Sequence, residues 1–520
     1  MDTTAQSIAQ TYDDVPYDSR PFPQSHPARS AAIARLFGLT PPNLRAGRVL
    51  ELGCAAGGNL IPMAANFPEA QFLGVDLSAV QIAQGRARIA ELGLNNIELR
   101  HQSISDLSAR DGLFDYIICH GVYSWVPASV RDAIMRVSRE NLSAHGIACI
   151  SYNVFPGWRL RGALRDAVLF HVEGEADPRR KVAMARQMLR QLADASDAAT
   201  PYGQMLRKEV ASFCDQQDHY IAHEYLELNN EPCYVADFIA KARAAKLEFL
   251  TEANFNYTIA ETFGPQNGPL LRELSGNQLD RMEQYIDFLS GRTFRQSLLV
   301  RQEIAPAIQR SLDSSRLDGL HVHANFAATP QKAGDLYVFK DGAGRTLTTP
   351  NVFVRDAVQI LTAKFPQTMT LEAMVAEAAG DKSATVDEES AVRDAVFKMA
   401  VAGLCDLATE PVLVGKRLAA NPQALPLARV DALSGRGWTT NVRHESVALT
   451  LVQQAVLPAL DGKHDEDDVR RVVAEAVRSG KIVFLKSGVP ILEQTEIDAS
   501  IREHVQGALE TLARLGLLVA

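Results

Sequence analysis

Residues 48–60, RVLELGCAAGGNL, run an apolar strand into an acid, Glu51, and then place Gly53, Gly57 and Gly58 within six positions. Glycines at a strand end let backbone approach a ligand that side chains would hold off, and the helix behind them aims free N–H groups at it. Four more apolar, strand-like runs follow: QFLGVD (71–76), IELRH (97–101), FDYIICH (114–120) and GIACISYNV (146–154). Helical stretches near 58–67, 78–92 and 127–142 separate them. This alternation predicts an α/β, Rossmann-like core with a parallel sheet covered on both faces.

The 520 residues exceed one ordinary core. The expected division is an N-terminal arm or lid (1–28), the first part of the core (29–156) and a helical insertion (157–232). The last helix and strands of the core (233–303) come next, then two winged-helix-like modules, 304–420 and 421–520. The modules rest on a weak internal repeat, ILTAKFPQTMTLEAMVAEA against AVLPALDGKHDEDDVRRVVAEA, each followed by a helix closing on Gly-Leu. A hairpin turning at Asp341-Gly342 and an acidic linker, GDKSATVDEES (380–390), are also expected.

Net charge is −9, which gives no broad attraction for nucleic acid, and none is expected as a partner. The six cysteines show no CxxC pair, so neither a metal site nor a disulfide framework is expected. A polar, acidic N-terminus without a signal pattern, and no long apolar run, predict a cytoplasmic protein without a membrane span.

The spacing Gly53, Gly57, Gly58 lacks the second glycine of G-x-G-x-x-G, which makes room for a pyrophosphate. Glu51, two residues before Gly53, is poorly placed beside a diphosphate and suits a cationic amino-acid tail. Asp76, ending QFLGVD, is positioned for ribose hydroxyls, which serves NAD and S-adenosylmethionine alike. The loop HQSISDL should flank an adenine, with Ser103 and Ile104 as contacts, and His120 should face the methionine end. The cofactor set is thus Tyr17, Glu51, Gly53, Cys54, Ala55, Gly57, Asp76, Leu77, Ser103, Ile104 and His120, with S-adenosyl-L-methionine as cofactor.

Together these features resemble the class I S-adenosylmethionine-dependent methyltransferases, through ELGCAAGG and GVDLS. Longer strings resemble methyltransferases with a methyltransferase regulatory domain, similar to bacterial protein-lysine methyltransferases that modify outer-membrane proteins. The strings are residues 11–38, FDYIICHGVYSWVP (114–127), SYNVFPGW (151–158), HEYLELNNEP (223–232) and RTFRQSLLVRQ (292–302). The resemblance implies a class I core with a helical insertion and a C-terminal extension that handles a protein substrate, such as an outer-membrane or surface protein before export. A homodimer is one assembly open to such a chain.

Aromatics concentrate near the ends of the fourth and fifth strands, where Tyr123, Trp125 and Tyr152 are the candidate catalytic residues; Glu224, Glu227 and Glu231 could draw in a lysine. A small-molecule methyltransferase with accessory domains and a cofactor-sensing regulatory protein stay open as alternatives. A dehydrogenase is the weakest option.

Overall fold

The computed structural model describes residues 19–227, 229–415 and 420–519. Its centre is a seven-stranded sheet of β1 (Arg48–Leu52), β2 (Gln71–Asp76), β3 (Ile97–His101), β4 (Phe114–Cys119), β5 (Leu142–Asn153), β6 (Leu247–Glu252) and β7 (Phe294–Arg301), ordered β3-β2-β1-β4-β5-β7-β6. The first five strands pair in parallel, and β7 lies antiparallel between β5 and β6. Chain order reverses at β1, between β2 and β4, and a crevice for a ligand forms where connections leave in opposite directions.

Alternation along β1 assigns the two faces. Leu50 and Leu52 join one core with Ile117, Ile150 and Phe249. Val49 joins the other with Ile118 and Cys149. Glu51 is in register with Ile118, and Ile118 with Cys149, so the Glu51 side chain belongs to this second face. Helix α1 (Pro27–Leu36) covers it, with Ala31 and Ile33 buried.

Between β5 and β6 the chain leaves the sheet as helices Gly157–His171, Pro178–Ala195, Pro201–Cys214 and Asp218–Tyr225. They enclose their own core of Leu164, Val182, Leu189 and Phe213. The chain then returns through a helix at Val235–Ala244, whose Phe238 and Ile239 pack on the sheet.

After β7, two modules repeat one order. The first runs a strand (His321–His323), a hairpin (Leu336–Lys340 with Thr346–Thr349), a helix (Val352–Lys364), a short strand (Met369–Thr370), two helices (Leu371–Ala379, Val386–Val401) and a strand (Asp406–Ala408). His321–His323 pairs with both later strands. The second has a hairpin of Trp438–Thr440 with Ser446–Ala448, then helices Leu451–Val456, Glu466–Arg478 and Gln494–Arg514. Its Gln423 and Ala424 bridge to Asp461 and Leu518. Val358 and Met399 of the first module share the core of the Glu51 face, while the second encloses a core of its own.

Two expectations are corrected. The hairpin turn spans Asp341 to Arg345, with Asp341 Oδ1 accepting from the N–H groups of Ala343 and Arg345, and Gly344 (φ +84°) is the left-handed residue instead of Gly342. Half of the acidic linker is helix. Thr385 and Glu388 form a capping box, and Asp387, Glu388 and Glu389 fill a first turn whose exposed N–H groups favour negative charge. Among the described residues no helix is long and apolar enough to cross a membrane.

Candidate active site

The loop after β1 is braced from within. Gly53 and Gly57 have φ of +76° and +72°, and a Cβ on Gly53 would lie 2.4 Å from Val122 Cγ2. The Gly53 and Cys54 N–H groups donate to the Val75 carbonyl at 2.9 and 3.1 Å, and that of Gly57 to Cys54 at 2.8 Å. The Ala55 N–H donates to Asp76 Oδ2 at 2.8 Å, and the Gly58 N–H to Ser19 Oγ at 2.8 Å. The loop's donors are therefore largely used internally. It is a close-packed wall with few free amides to cradle a diphosphate, and this weighs against a dinucleotide.

Beside this wall sits Glu51, only 3% exposed. Its Oε1 accepts from Asn59 Nδ2 at 2.7 Å, while among the described residues its Oε2 has no hydrogen-bond partner. Burial pushes its pKa up to about 8, against the opposing Asn59 bond and with a smaller contribution from the Asp76 charge. A buried, unpaired carboxylate oxygen is costly in water-free surroundings and is relieved by a cation. At the end of β2, Asp76 Oδ1 accepts from the Ser78 N–H at 2.9 Å. A carboxylate has about four acceptor sites, so capacity remains for hydroxyl donors.

Asn59 gathers three distant segments. Its Oδ1 accepts from the Phe22 N–H at 2.9 Å and from His444 Nε2 at 2.7 Å, and its Nδ2 also reaches Ser25 Oγ at 3.2 Å. The Phe22 ring lies 3.8 Å from that of His120, and Phe294 meets the same ring edge-on at 5.8 Å. Gln296 Nε2 is 3.2 Å from His120 Nδ1. Burial pushes the His120 pKa down to about 4, which keeps the ring neutral.

The structure brings Glu51, Gly53, Cys54, Ala55, Gly57 and Asp76 together at the ends of β1 and β2. Cys54 is buried there and its thiol is pushed up by burial. The Leu77 carbonyl lies 3.0 Å from His101 Nε2. Ser103 follows the β3 end beside Asp76, but its Oγ caps a short turn through the Ser105 N–H at 3.2 Å, and the Ile104 side chain is part of a core. Tyr17 lies outside the described residues.

The structure places the candidate catalytic aromatics in packed surroundings. Tyr152 is one residue out of phase with Cys149 and Ser151, so it points to the sheet face opposite Glu51. There its ring stacks on Phe238 at 3.8 Å and its hydroxyl lies 2.9 Å from Ser297 Oγ. Tyr123 packs edge-on against Phe238 and Tyr152, and Trp125 edge-on against Trp158. All three rings are packed against other aromatics. Of the acidic run only Glu231 stays exposed. Glu231 pairs with Arg131, Glu227 is buried 3.3 Å from His223, and burial pushes the Glu224 pKa to about 7.

Sequence reasoning missed Asn59, Gln296 and His444. Asn59 sits at the mouth of the helix that the glycine loop opens, and its spacing from Glu51 was the available signal. Nothing local marks His444, which lies 385 positions from its partner.

Residues 49–146 match a methyltransferase domain, residues 217–301 a "predicted methyltransferase regulatory domain", and residues 420–517 the C-terminal winged helix domain of PKMT. An uncharacterized protein of Rickettsia prowazekii is 31% identical over 521 residues, covering 98% of this chain and 93% of its own length. The chain belongs to the family of methyltransferases with a regulatory domain. A second uncharacterized R. prowazekii protein is 39% identical over 241 residues, 46% of this methyltransferase and 96% of itself. The structure of PKMT2 from Rickettsia typhi superposes with a TM-score of 0.87 at 28% identity, covering 97% of this methyltransferase and all of that chain. The same protein in complex with AdoHcy gives 0.87 at 27% identity.

Proposed function

We propose that this methyltransferase transfers the methyl group of S-adenosylmethionine to lysine side chains of a protein acceptor. One observation carries the cofactor part: the unpaired Oε2 of buried Glu51 beside a glycine wall whose amides are already bonded. That pairing suits an ammonium-bearing nucleoside. Glu51 would hold the amino-acid end, Asp76 the ribose, and the loop at Ser103 the base. When bound, the cofactor supplies an electrophilic methyl group on a sulfonium.

The remaining chemistry is positional. Methyl transfer is an in-line displacement, and holding the two reactants in contact supplies much of the acceleration. Phe22, Phe294 and neutral His120 form an aromatic corner on the Glu51 side, and aromatic faces attract a sulfonium. A lysine amine, with a reference pKa of about 10.4, must shed its proton first, and leaving water favours the neutral form. His120, with its pKa near 4, is a poor base at neutral pH.

The lysine acceptor is supported by the PKMT likeness in fold and in the C-terminal domain. An outer-membrane or surface protein met in the cytoplasm before export is the proposed substrate, and size-exclusion chromatography decides between monomer and homodimer. The test is incubation with methyl-labelled cofactor and purified surface proteins, followed by digestion. Label on lysine-containing peptides is expected; label only on small molecules rejects the protein acceptor.

A further inference from the structure

The second C-terminal module reaches the proposed cofactor site. Its hairpin turn, residues 441–446, carries His444, which is 2% exposed and adopts φ +62°. The turn is built for this conformation: Asn441 Oδ1 accepts from the N–H groups of Arg443 and Glu445, and Asn441 Nδ2 donates to the Leu515 carbonyl at 3.0 Å. His444 Nε2 then lies 2.7 Å from Asn59 Oδ1, and the His26 ring packs edge-on against it at 5.1 Å.

The module is anchored nearby by buried charge. Arg88, on the helix Ala79–Leu92 that follows β2, reaches both oxygens of Asp431 through Nη2 at 2.6 and 2.7 Å. Thr439 Oγ1, on the same hairpin as His444, donates to Asp431 Oδ2 at 2.7 Å. Trp438 of that hairpin lies between Arg20 and Arg436, at 4.9 and 4.8 Å from its ring centre. The hairpin is thereby fixed to the cofactor-side helix and to the N-terminal arm.

The geometry points to His444 as a positioning residue of the cofactor site, acting through Asn59 on Glu51. Burial leaves the imidazole neutral, with one N–H to give. Donation from Nε2 requires an acceptor on Asn59, and so does the Phe22 N–H. Together they fix the amide with its oxygen toward the arm and the module and its Nδ2 toward Glu51 Oε1. Rotating the amide by half a turn would set the Phe22 N–H against Nδ2 and, with the His444 proton on Nε2, a second donor as well. Glu51 Oε1 is thereby satisfied, and Oε2 is left as the free acceptor for an ammonium. Docking of the module and binding of the cofactor's amino-acid tail are consequently linked and strengthen each other. This rests on the reading of Glu51 as the tail-binding carboxylate.

Calorimetry on the full chain with two ligands tests both. S-Adenosylhomocysteine carries the tail, and 5′-methylthioadenosine lacks it. The wild-type protein should prefer the first; equal affinity overturns the reading of Glu51 itself. If the wild type discriminates, His444→Ala should weaken S-adenosylhomocysteine about tenfold, the loss expected for one buried hydrogen bond, and leave methylthioadenosine unchanged. His444→Gln, which keeps a donor, should recover part of the loss. In turnover, the cofactor KM should rise with kcat held. Equal weakening of both ligands, or none, overturns the positioning role. Arg88→Ala loosens the module without touching Asn59 and should give the same tail-selective loss; should His444→Ala not fold, this variant decides, and unchanged discrimination in it overturns the linkage.

Discussion

Replacing Glu51 by Gln separates what this carboxylate does for the ligand from what it costs the fold. Its pKa is raised from 4.5 to about 8, chiefly by burial. At pH 7 such a group is about nine-tenths protonated before ligand arrives. An ammonium at Oε2 favours the charged form. Binding of S-adenosylhomocysteine at pH 7 should therefore expel close to one proton, roughly 0.9, seen as a dependence of binding enthalpy on the ionisation enthalpy of the buffer. Glu51→Gln has no proton to lose. Its enthalpies should coincide across buffers, and its affinity should fall by at least about tenfold, as expected for a lost charge-assisted hydrogen bond.

Stability moves the other way. A carboxyl whose folded pKa exceeds its unfolded value holds a proton that the unfolded chain releases, so stability declines as pH rises from about 4.5 toward 8. At about 1.36 kcal/mol per unit over the roughly 2.5 units from 4.5 to 7, the ligand-free wild type carries a penalty of roughly 3 kcal/mol or slightly more at pH 7 that Glu51→Gln escapes. In urea titrations without ligand, the variant should unfold later than the wild type at pH 7, by a margin that closes near pH 4.5. No proton release by the wild type, or a variant less stable at pH 8 than at pH 5 relative to wild type, would refute the assignment.

Three further substitutions probe the surroundings. Arg295 is fully buried against Asp287, Glu283 and Glu252 at 2.8, 2.8 and 3.1 Å; Arg295→Met strands three carboxylates and should cost about 3–5 kcal/mol, with partial recovery in denaturation curves as pH falls and they protonate. Tyr152→Phe loses only the bond to Ser297 and should cost about 1 kcal/mol while methyl transfer persists, whereas loss of turnover in a folded variant would restore Tyr152 as a catalytic residue. A Cβ on Gly58 would lie 1.8 Å from the Ser19 carbonyl oxygen, so Gly58→Ala should lift the arm and speed proteolytic cleavage near Arg20, with S-adenosylhomocysteine slowing it again.

The strands of the core were legible because most are apolar runs, and β1, β2 and β4 end at or close before an acid or a glycine: Gly53, Asp76 and Gly121. The cofactor end was legible for the same reason: Glu51, Gly53, Gly57 and Asp76 are set by local sequence at adjacent strand ends. The sheet face of Tyr152 was not legible, because strand parity cannot be judged from an aromatic near a strand end. It takes the register with β4 and β1 to show which face it occupies. Glu224 and Glu227 suggested an acidic lure for lysine, yet packing buries Glu227 and half-buries Glu224, which no count of charges reveals. The order shared by the two C-terminal modules survives in the structure as strand, hairpin and helices, although few residues coincide.

The position of Asn59 ties the methyltransferase unit to the additional chain. Glu51 is buried at the end of β1, where an unsupported carboxylate would either take a proton or turn toward any nearby donor. Its one bonded oxygen depends on an amide whose orientation is fixed by Phe22 from the arm and by His444 from the far end of the chain. The first C-terminal module also shares its core with the sheet face from which Glu51 projects. Removing residues beyond β7 would thus expose that core and take one of the two donors from the Asn59 amide oxygen. The glycine loop would keep its bonds, which go to Cys54, Val75, Asp76 and Ser19, but the carboxylate beside it would be less firmly directed. The loop is a property of the core; the proposed selectivity for a charged amino-acid tail would belong to the whole chain.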